Sequence, residues 1–256
     1  MKDTVLLEEM SWPEVQEVLD AGVRTMVIVV ASIEQHGPHL PTMTDTAIGY
    51  AVGERVARKL GRALLAPVIR PGCSDHHLAF PGSLSIPRET LIETVLAYGR
   101  SLAPHGFQNF VLFSSHGGNF DALEEAAGRL RDEWAPKSVR VAAYAGRAAL
   151  LEMMQVMNAA AESLGVRQEV DALHAELTET SVMMARHPAL VARDRLEQGK
   201  MGHVDTEDLF RRGLKAITPN GIMGDPRAAT PEIGTAVLER LSDHIAAFAR
   251  RELSAG

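Results

Sequence analysis

The sequence contains few cysteines and few aromatic residues. Cys73 is the one cysteine, which excludes an intrachain disulfide, and Phe, Trp and Tyr together make up 5% of the chain. Basic residues are not in excess, because 26 Lys and Arg stand against 33 Asp and Glu. No apolar run is long and uninterrupted enough to span a bilayer. These absences argue against nucleic acid and membranes as partners, and a small molecule is the partner we expect.

The composition is that of an ordinary globular protein, with 46% hydrophobic and 23% charged residues. A length of 256 residues suits one large α/β domain or two small ones. Because no repeat, low-complexity tract or clear linker interrupts the chain, we expect one domain over residues 1–256. No apolar segment of the signal-peptide kind follows Met1, and this, with the single cysteine, predicts a cytoplasmic protein.

Strand and helix patterns alternate along the chain. Buried strands are predicted from about residue 25 and over residues 63–69, 109–115 and 139–144. After a short helix that ends near residue 20, helices are predicted over residues 47–60, 88–103, 120–134, 147–164, 178–185 and 230–252. The methionines of residues 147–164 are expected in the core or in an interface. This alternation predicts a mostly parallel sheet with helices on both of its faces, an α/β fold.

Side chains that can hold a metal ion follow several of these strands. Glu34 and His36 come directly after an apolar run, and in an extended chain they would project to the same side. Asp45 follows shortly after. Ligands of open α/β sheets bind outside the carboxyl ends of the strands, where carboxylates and imidazoles can form a bed for a divalent cation. Similar clusters lie at residues 75–77 (DHH), 115–119 (SHGGN) and 171–181 (DALHAELTETS).

Several of these residues also have simpler explanations. A Glu-x-His pair is by itself more often part of a hydrogen-bonded loop than of a metal site, and His39 is expected to support that loop. One of the three side chains of residues 75–77 is expected to touch substrate or to brace a ligand through a hydrogen bond. Glu176 is expected to be solvated, and Thr178 is the expected cap of the helix that follows it.

Four motifs, in order, resemble those of the creatininase family, the creatinine amidohydrolase-like metallohydrolases. They are residues 34–41 (EQHGPHLP) with Asp45, residues 80–85 (FPGSLS), residues 115–119 (SHGGN), and His174 with residues 179–181 (ETS). Residues 221–226 resemble the C-terminal loop of the family, so the resemblance covers most of the chain. It implies a three-layer α/β/α sandwich and a centre of two divalent metal ions, with Zn, Mn or Fe found across such families.

The resemblance also implies a role for each matched residue. The metal ligands, with the aspartate bridging both ions, would be Glu34, His36, Asp45 and His116. In creatinine hydrolases proper, a Glu two positions after the His of the third motif completes the shell of the second metal. That position is Gly118 here, and the expected substitute is Glu179. His174 would be the catalytic histidine that moves the proton.

Two cations about 3.5 Å apart lower the pKa of a shared water enough to give hydroxide near neutral pH. The expected reaction is attack of this bridging hydroxide on the carbonyl carbon of an amide or lactam in a small polar substrate. His174 would then protonate the departing nitrogen. We therefore expect an amidohydrolase that acts on carbon–nitrogen bonds other than peptide bonds.

The substrate is the least constrained part of this prediction. The expected substrate-binding residues are His77, Ser83, Gly117, Gly118 and Asn119. Creatinine itself is not expected, because the tryptophans that sandwich its ring in the creatinine enzymes are missing, and Leu150 and Val170 stand in the corresponding stretches. A formamide deformylase, a peptidase-like relative and a non-catalytic metal-binding protein remain open alternatives. The resemblance further implies a homo-oligomer, often a hexamer.

Overall fold

A parallel sheet forms the centre of the molecule. The computed structural model describes residues 3–135, 137–168 and 174–254. Within them the strands are β1 (Thr25–Val30), β2 (Ala63–Leu65), β3 (Asn109–Ser114) and β4 (Arg140–Tyr144), arranged in the order β2-β1-β3-β4. Every pairing is parallel, as the alternation of strands and helices predicted.

The helices lie between and after these strands, close to their predicted places. They are α1 (Trp12–Asp20), α2 (Thr44–Leu60), α3 (Arg88–Leu102), α4 (Phe120–Trp134), α5 (Gly146–Glu162), α6 (Leu177–Arg186), α7 (Thr206–Arg212), α8 (Leu214–Ile217) and α9 (Pro231–Ser254). The short helices α7 and α8 lie between the helices predicted over residues 178–185 and 230–252, where no helix was predicted. None of the helices in the described ranges is long and apolar enough to cross a membrane.

The side chains of β1 alternate between two hydrophobic cores, one on each face of the sheet. Met26, Ile28 and Val30 pack into the core that α3 and α4 cover. Val27 and Val29 pack into the other core, which α2, α5, α6 and α9 cover. Because both faces are covered, every residue from Met26 to Val30 is fully buried. The expected three-layer α/β/α architecture is therefore confirmed.

The second strand is shorter than expected. The prediction covered residues 63–69, but the regular ladder ends at Leu65. Pro67 has no amide hydrogen to donate to the ladder, which explains the break. Ile69 then rejoins β1 through an isolated bridge to Val30. The chain after Ile69 therefore still leaves the sheet at the edge where β1 and β3 end.

Candidate metal centre

Six polar side chains meet at the carboxyl edge of the sheet, and all of them are at most 9% exposed. They come from the loops after β1 and β3, from the first turn of α2, and from α6 and the segment leading into it. They are Glu34, His36, Asp45, His116, His174 and Glu179. The fold thus brings together all of the residues that the sequence predicts for metal binding and proton transfer.

The loop after β1 folds back sharply and carries two of these side chains. The N–H of Glu34 donates to the carbonyl oxygen of Thr42 at 3.0 Å, which ties the two arms of the loop together. Gly37 turns the chain with a φ of 65°, a conformation that glycine adopts without strain. Its N–H donates to Oε1 of Gln35 at 2.9 Å. This reversal buries both Glu34 and His36 under the edge of the sheet.

Glu34, Asp45 and His116 form a first group of possible ligands. Nδ1 of His116 lies 3.2 Å from Oε1 of Glu34 and 3.3 Å from Oδ2 of Asp45. On the other side of the ring, Nε2 lies 3.0 Å from the carbonyl oxygen of Cys73, which can only accept a hydrogen bond. That contact assigns the ring proton to Nε2, so the lone pair of Nδ1 faces the two carboxylates.

His36, Asp45 and Glu179 form a second group. Nε2 of His36 lies 3.1 Å from Oδ1 of Asp45 and 3.7 Å from Oε2 of Glu179. Nδ1 of the same ring lies 3.1 Å from the carbonyl oxygen of Glu34, so Nδ1 carries the proton and Nε2 presents its lone pair. In both groups the backbone therefore orients an imidazole toward carboxylates, which is the arrangement of a metal-binding histidine.

Asp45 belongs to both groups, and each of its oxygens faces a different histidine. The ligand atoms within each group lie within 4.8 Å of one another. Oε1 of Glu34 and Oδ2 of Asp45 are buried and, while Nδ1 of His116 carries no proton, receive no hydrogen bond from the described part of the chain. A buried carboxylate oxygen without a donor is costly unless a cation compensates it. The donor set and these two oxygens therefore fit a pair of divalent cations that share Asp45.

The pKa values of the cluster reflect the same need for positive charge. Burial opposes protonation of the imidazoles, but the nearby carboxylates outweigh it, which raises the pKa of His36 to about 10 and that of His116 well above its usual value. Burial raises the pKa of Glu179 to about 8. Burial would also raise the pKa of Asp45, but His36 and His116 hold it below its usual range. Protons or cations can supply the missing charge.

Glu179 is positioned by the cap of its own helix, and here two expectations are wrong. Glu176, expected to be solvated, is fully buried, and its carboxylate accepts the N–H groups of Thr178 and Glu179 at 2.9 to 3.1 Å. It therefore caps α6 in place of Thr178, because its longer side chain reaches both free amides of the first turn. Ala175 adopts a φ of 55°, and its N–H donates to Oε2 of Glu179 at 2.6 Å.

His174 stands beside the cluster with its ring edge turned toward Glu34. Its Nδ1 lies 3.9 Å from Oε1 of Glu34, and its ring centroid lies 4.3 Å from that of His36. Its Nε2 contacts Gln35, at 2.9 Å from the backbone oxygen and 2.8 Å from the side-chain nitrogen. Burial and the neighbouring His36 hold the pKa of His174 well below its usual value. The ring is therefore neutral near neutral pH.

Gln35 is a site residue that the sequence reasoning missed. Its buried side-chain nitrogen lies 3.2 Å from Nδ1 of His77 and 3.2 Å from the carbonyl oxygen of Gly221, in addition to its contact with His174. Gln35 stands between two predicted ligands in the first motif. This position, together with its hydrogen-bonding amide, was the feature of the sequence that could have indicated a role in the site. The side chain links the loop after β1 to the late segment that contains Gly221.

The three residues of the 75–77 cluster have different positions. His77 is buried, and its Nε2 lies 3.3 Å from Oε1 of Glu34. The ring of His76 stacks on that of His116 with centroids 5.8 Å apart and planes 14° apart. Asp75 is exposed. Both histidines are therefore placed to brace the first group of ligands, and Asp75 is not.

A cavity of about 340 Å³ opens onto the cluster. Among the predicted substrate-binding residues, His77, Gly117 and Gly118 line it, together with Glu34, His116 and His174. Leu150, from a stretch where the creatinine enzymes carry a ring-stacking tryptophan, also lines the cavity, and Val170 lies outside the described residues. Leu150 itself is aliphatic, and two phenylalanines, Phe120 and Phe210, also line the cavity.

Ser83 and Asn119 are not among the residues that line this cavity. Oγ of Ser83 accepts the N–H of Gln35 at 3.0 Å. The buried amide of Asn119 accepts the N–H of Cys73 at 2.9 Å and donates to the carbonyl oxygen of Ala31 at 3.1 Å. These hydrogen bonds use the polar atoms of both side chains to hold site loops in place. The structure therefore places them as supports for the loops.

The fold and this cluster together define an α/β protein with a candidate metal centre at the edge of its sheet, and the comparisons with known proteins specify the family. The profile of the Creatininase family, described as creatinine amidohydrolase, matches residues 8–249. The chain belongs to the creatininase family.

Two curated relatives show the range of that family. A mycofactocin precursor peptide peptidase of Mycobacterium ulcerans (strain Agy99) is 35% identical over an alignment of 237 positions that covers 88% of this chain and 85% of the relative. A creatinine amidohydrolase of Pseudomonas putida is 28% identical over an alignment of 265 positions, gaps included, that covers 98% of each chain. Relatives of this chain are therefore hydrolases with different substrates.

Solved structures agree with the fold. A Zn-Zn type creatininase with a Glu-to-Gln substitution superposes with a TM-score of 0.85 at 27% identity, covering 98% of this chain and 99% of the other. A structure described as creatininase Mn gives a TM-score of 0.84 at the same identity and coverage. These neighbours bear zinc or manganese in their descriptions, and the present chain has a buried cluster of suitable donors at the edge of its sheet.

Proposed function

We propose that this protein is a metal-dependent amidohydrolase with two divalent cations, Zn, Mn or Fe, at the buried cluster. One cation would be held by Glu34, Asp45 and His116, and the other by His36, Asp45 and Glu179. The observation that carries the proposal is the meeting of two buried ligand groups at Asp45, whose Oδ2, like Oε1 of Glu34, receives no hydrogen bond from the described residues while Nδ1 of His116 carries no proton. Glu179 would take the role that Gly118 cannot perform, since glycine has no side chain.

The cations, when bound, would acidify a water molecule and polarise the carbonyl group of the substrate. The residues of the chain supply orientation and proton transfer. With the Nε2 proton of His174 donated to the oxygen of Gln35, Nδ1 is free to take a proton beside Glu34. His174 can then pass that proton to the departing nitrogen, a task for a neutral imidazole. Gly117 and Gly118 line the cavity, and their backbone N–H groups would be the donors for a developing oxyanion there.

We propose a linear, peptide-type amide as the substrate. We place this class before the expected bond other than a peptide bond, since relatives at 32 to 35% identity are described as peptidases. A lactam or other small cyclic amide is the comparison substrate. A homo-oligomer stays a prediction.

Metal analysis and hydrolysis assays of purified variants test this proposal. We expect Asp45→Asn and His116→Ala to lose most bound metal and activity, because each removes a donor from the cluster. Asp75→Asn is the matched control, since this carboxylate is exposed and outside the cluster. His174→Ala should keep the metal and lose most turnover. Unchanged metal content in Asp45→Asn would refute the metal site.

The substrate screen decides between the remaining alternatives. Short peptides, N-formyl amides and lactams would be offered to the metal-loaded protein. Hydrolysis of peptides in preference to lactams supports the proposed substrate class. A protein that binds the metal and hydrolyses none of these compounds would instead be a non-catalytic relative.

A further inference from the structure

A second, smaller space lies next to the cavity at the metal cluster, between the sheet and α5. We call it the inner chamber. Its volume is about 70 Å³, which exceeds the space that one water molecule needs. Apolar side chains from α2, β3, α4, α5 and α9 form most of its wall. They are Ile48, Val52, Phe113, Phe120, Leu150, Met153, Met154, Met157 and Leu241.

The polar residues of the chamber wall are already engaged elsewhere. Oγ of Ser115 donates to the carbonyl oxygen of Asp45 at 2.8 Å, and Oγ of Ser114 donates to the carbonyl oxygen of Val30 at 2.8 Å. Glu179 accepts the N–H of Ala175. The chamber therefore offers an occupant mainly apolar surface, which favours a hydrocarbon group over water.

Gly117 stands at the boundary between the inner chamber and the outer cavity. It lines both spaces, and so do Phe120, Leu150 and Met154. A Cβ atom added to Gly117 would have Leu150 Cδ1 as its nearest neighbour, at 3.8 Å, an ordinary contact distance. Leu150 and Met154 form a partition between the two spaces. Because Gly117 has no side chain, there is room beside this partition. The proposed metal ligand Glu179 also lines the inner chamber.

We propose that the inner chamber is an apolar subsite that takes a small branched aliphatic group of the substrate, carried next to the amide carbonyl. This inference rests on the proposed function, because it is the metal cluster that would hold the carbonyl beside the chamber. The chamber can fit such a group because its floor and partition contain three methionines, whose unbranched side chains adapt to irregular shapes. The substrate class is therefore an amide with an aliphatic, branched acyl or amino-acid side chain.

Binding of hydroxamates to the metal-loaded protein tests the subsite. Hydroxamates chelate metal ions, and their acyl chain occupies the place of a substrate acyl group. We would compare acetohydroxamate with 3-methylbutanohydroxamate and octanohydroxamate by calorimetry. Because each buried methylene strengthens binding about fourfold, we expect the branched compound to bind roughly tenfold tighter than acetohydroxamate or better. The linear eight-carbon chain should gain less per methylene, since the chamber is too small for it.

Variants at the partition test whether the inner chamber causes the tighter binding of the branched hydroxamate. Gly117→Leu should fill the gap and abolish the affinity ratio between the branched compound and acetohydroxamate. Met154→Phe fills the same partition and serves as a second variant in case Gly117→Leu fails to fold. Gly128→Leu is the control, because a Cβ there meets nothing within 4 Å and the residue lines neither space. A ratio that survives in both folded partition variants would overturn the subsite.

Xenon separates failure of the subsite from failure of the metal site. Crystals of metal-free protein under xenon gas should show a xenon peak in the inner chamber, because an apolar cavity takes up this gas without any metal. If no hydroxamate binds but xenon enters, the proposed metal centre fails and the apolar chamber stands. Equal affinity for all three hydroxamates, or a chamber without xenon, overturns the subsite.

Discussion

Gln35 offers His174 both a hydrogen-bond acceptor and a donor at the same ring nitrogen. Nε2 of His174 lies 2.9 Å from the backbone oxygen of Gln35 and 2.8 Å from its side-chain nitrogen. The ring can therefore keep a hydrogen bond at Nε2 in either tautomer. In both cases Nδ1 remains directed toward Glu34, 3.9 Å away.

Gln35→Ala should reduce turnover and leave the bound metal in place. The substitution removes the side-chain donor that His174 and His77 share but keeps the backbone oxygen, so the ring loses part of its orientation. We expect kcat to fall by about 10-fold to 100-fold, the usual range for the loss of a residue that orients a site group. Steady-state kinetics and metal analysis would check this. Gln16→Ala, at an exposed position on α1, is the control, and an equal loss in both variants would contradict the assignment.

Glu176→Ala should destabilise the protein and weaken metal uptake together. Loss of a helix cap costs about 1–2 kcal/mol of unfolding free energy. Because the capped helix carries Glu179 in its first turn, metal affinity should also fall. Denaturant unfolding and metal titration would measure the two effects.

Ser11→Ala provides the comparison, since Ser11 begins α1 in a capping box with Glu14, whose carboxylate accepts the N–H of Ser11 at 2.7 Å, and no residue of α1 lines the cavity at the cluster. It should cost stability without changing metal affinity. If the two cap variants changed metal affinity equally, the link between the cap of α6 and Glu179 would be wrong.

Gly118→Ala should weaken metal binding, whereas Gly117→Ala should not. A Cβ at Gly118 would press against the carbonyl oxygen of Cys73 and lie 2.6 Å from Nε2 of His116. It would thus disturb the hydrogen bond that orients His116, and we expect metal affinity to fall by about 10-fold or more. At Gly117 the nearest atom is 3.8 Å away. Calorimetric titration of both variants with Zn²⁺ or Mn²⁺ tests the contrast, which fails if the two bind alike.

The stabilisation by metal should increase with pH. Burial raises the pKa of Glu179 to about 8. For His36, nearby carboxylates outweigh the effect of burial and raise the pKa to about 10. A group with a pKa raised by folding contributes stability that is present below its unfolded pKa and lost as the pH rises through its folded pKa. The metal-free protein should therefore lose stability between about pH 7 and 10, where these groups give up their protons. Bound cations replace those protons.

Thermal unfolding at several pH values, with a chelator or with excess Mn²⁺, measures this effect. The difference in Tm between the two conditions should grow from neutral pH toward pH 9. Asp45 and His174, whose pKa values are lowered, titrate below this window and do not alter its sign. A difference that stays constant across the range would contradict the prediction.

Much of the fold and the location of the polar clusters followed from local sequence patterns, while the resemblance to the creatininase family assigned the ligands. The apolar run of β1, ended by polar residues, predicted that Glu34 and His36 lie at the carboxyl edge of a sheet. His116 could be added because it follows another apolar strand. The positions of side chains next to buried strands can be predicted in this way, because a short apolar run of sequence indicates where a buried strand lies and where it ends.

The supports of the site were not predictable from such patterns. Glu176 reads as a solvated acid because its burial depends on the packing of α6, and the role of Gln35 depends on residues more than a hundred positions later in the chain. Ser83 and Asn119 lie in recognisable motifs, yet only the fold shows that their side chains hold backbone groups. These contacts are long-range, and composition or spacing cannot encode which partner each side chain finds.

The shared position of Asp45 has a consequence for the order in which the centre is completed. The first ligand group is contained within the first 116 residues, whereas the second needs Glu179 on α6, which packs against the C-terminal helix α9. During synthesis the side chains of the first group would therefore all be present before Glu179 and the helix that packs against α6. The proposed second cation, if bound, would then cross-link α6 to the loop after β1, two parts of the chain that are far apart in sequence.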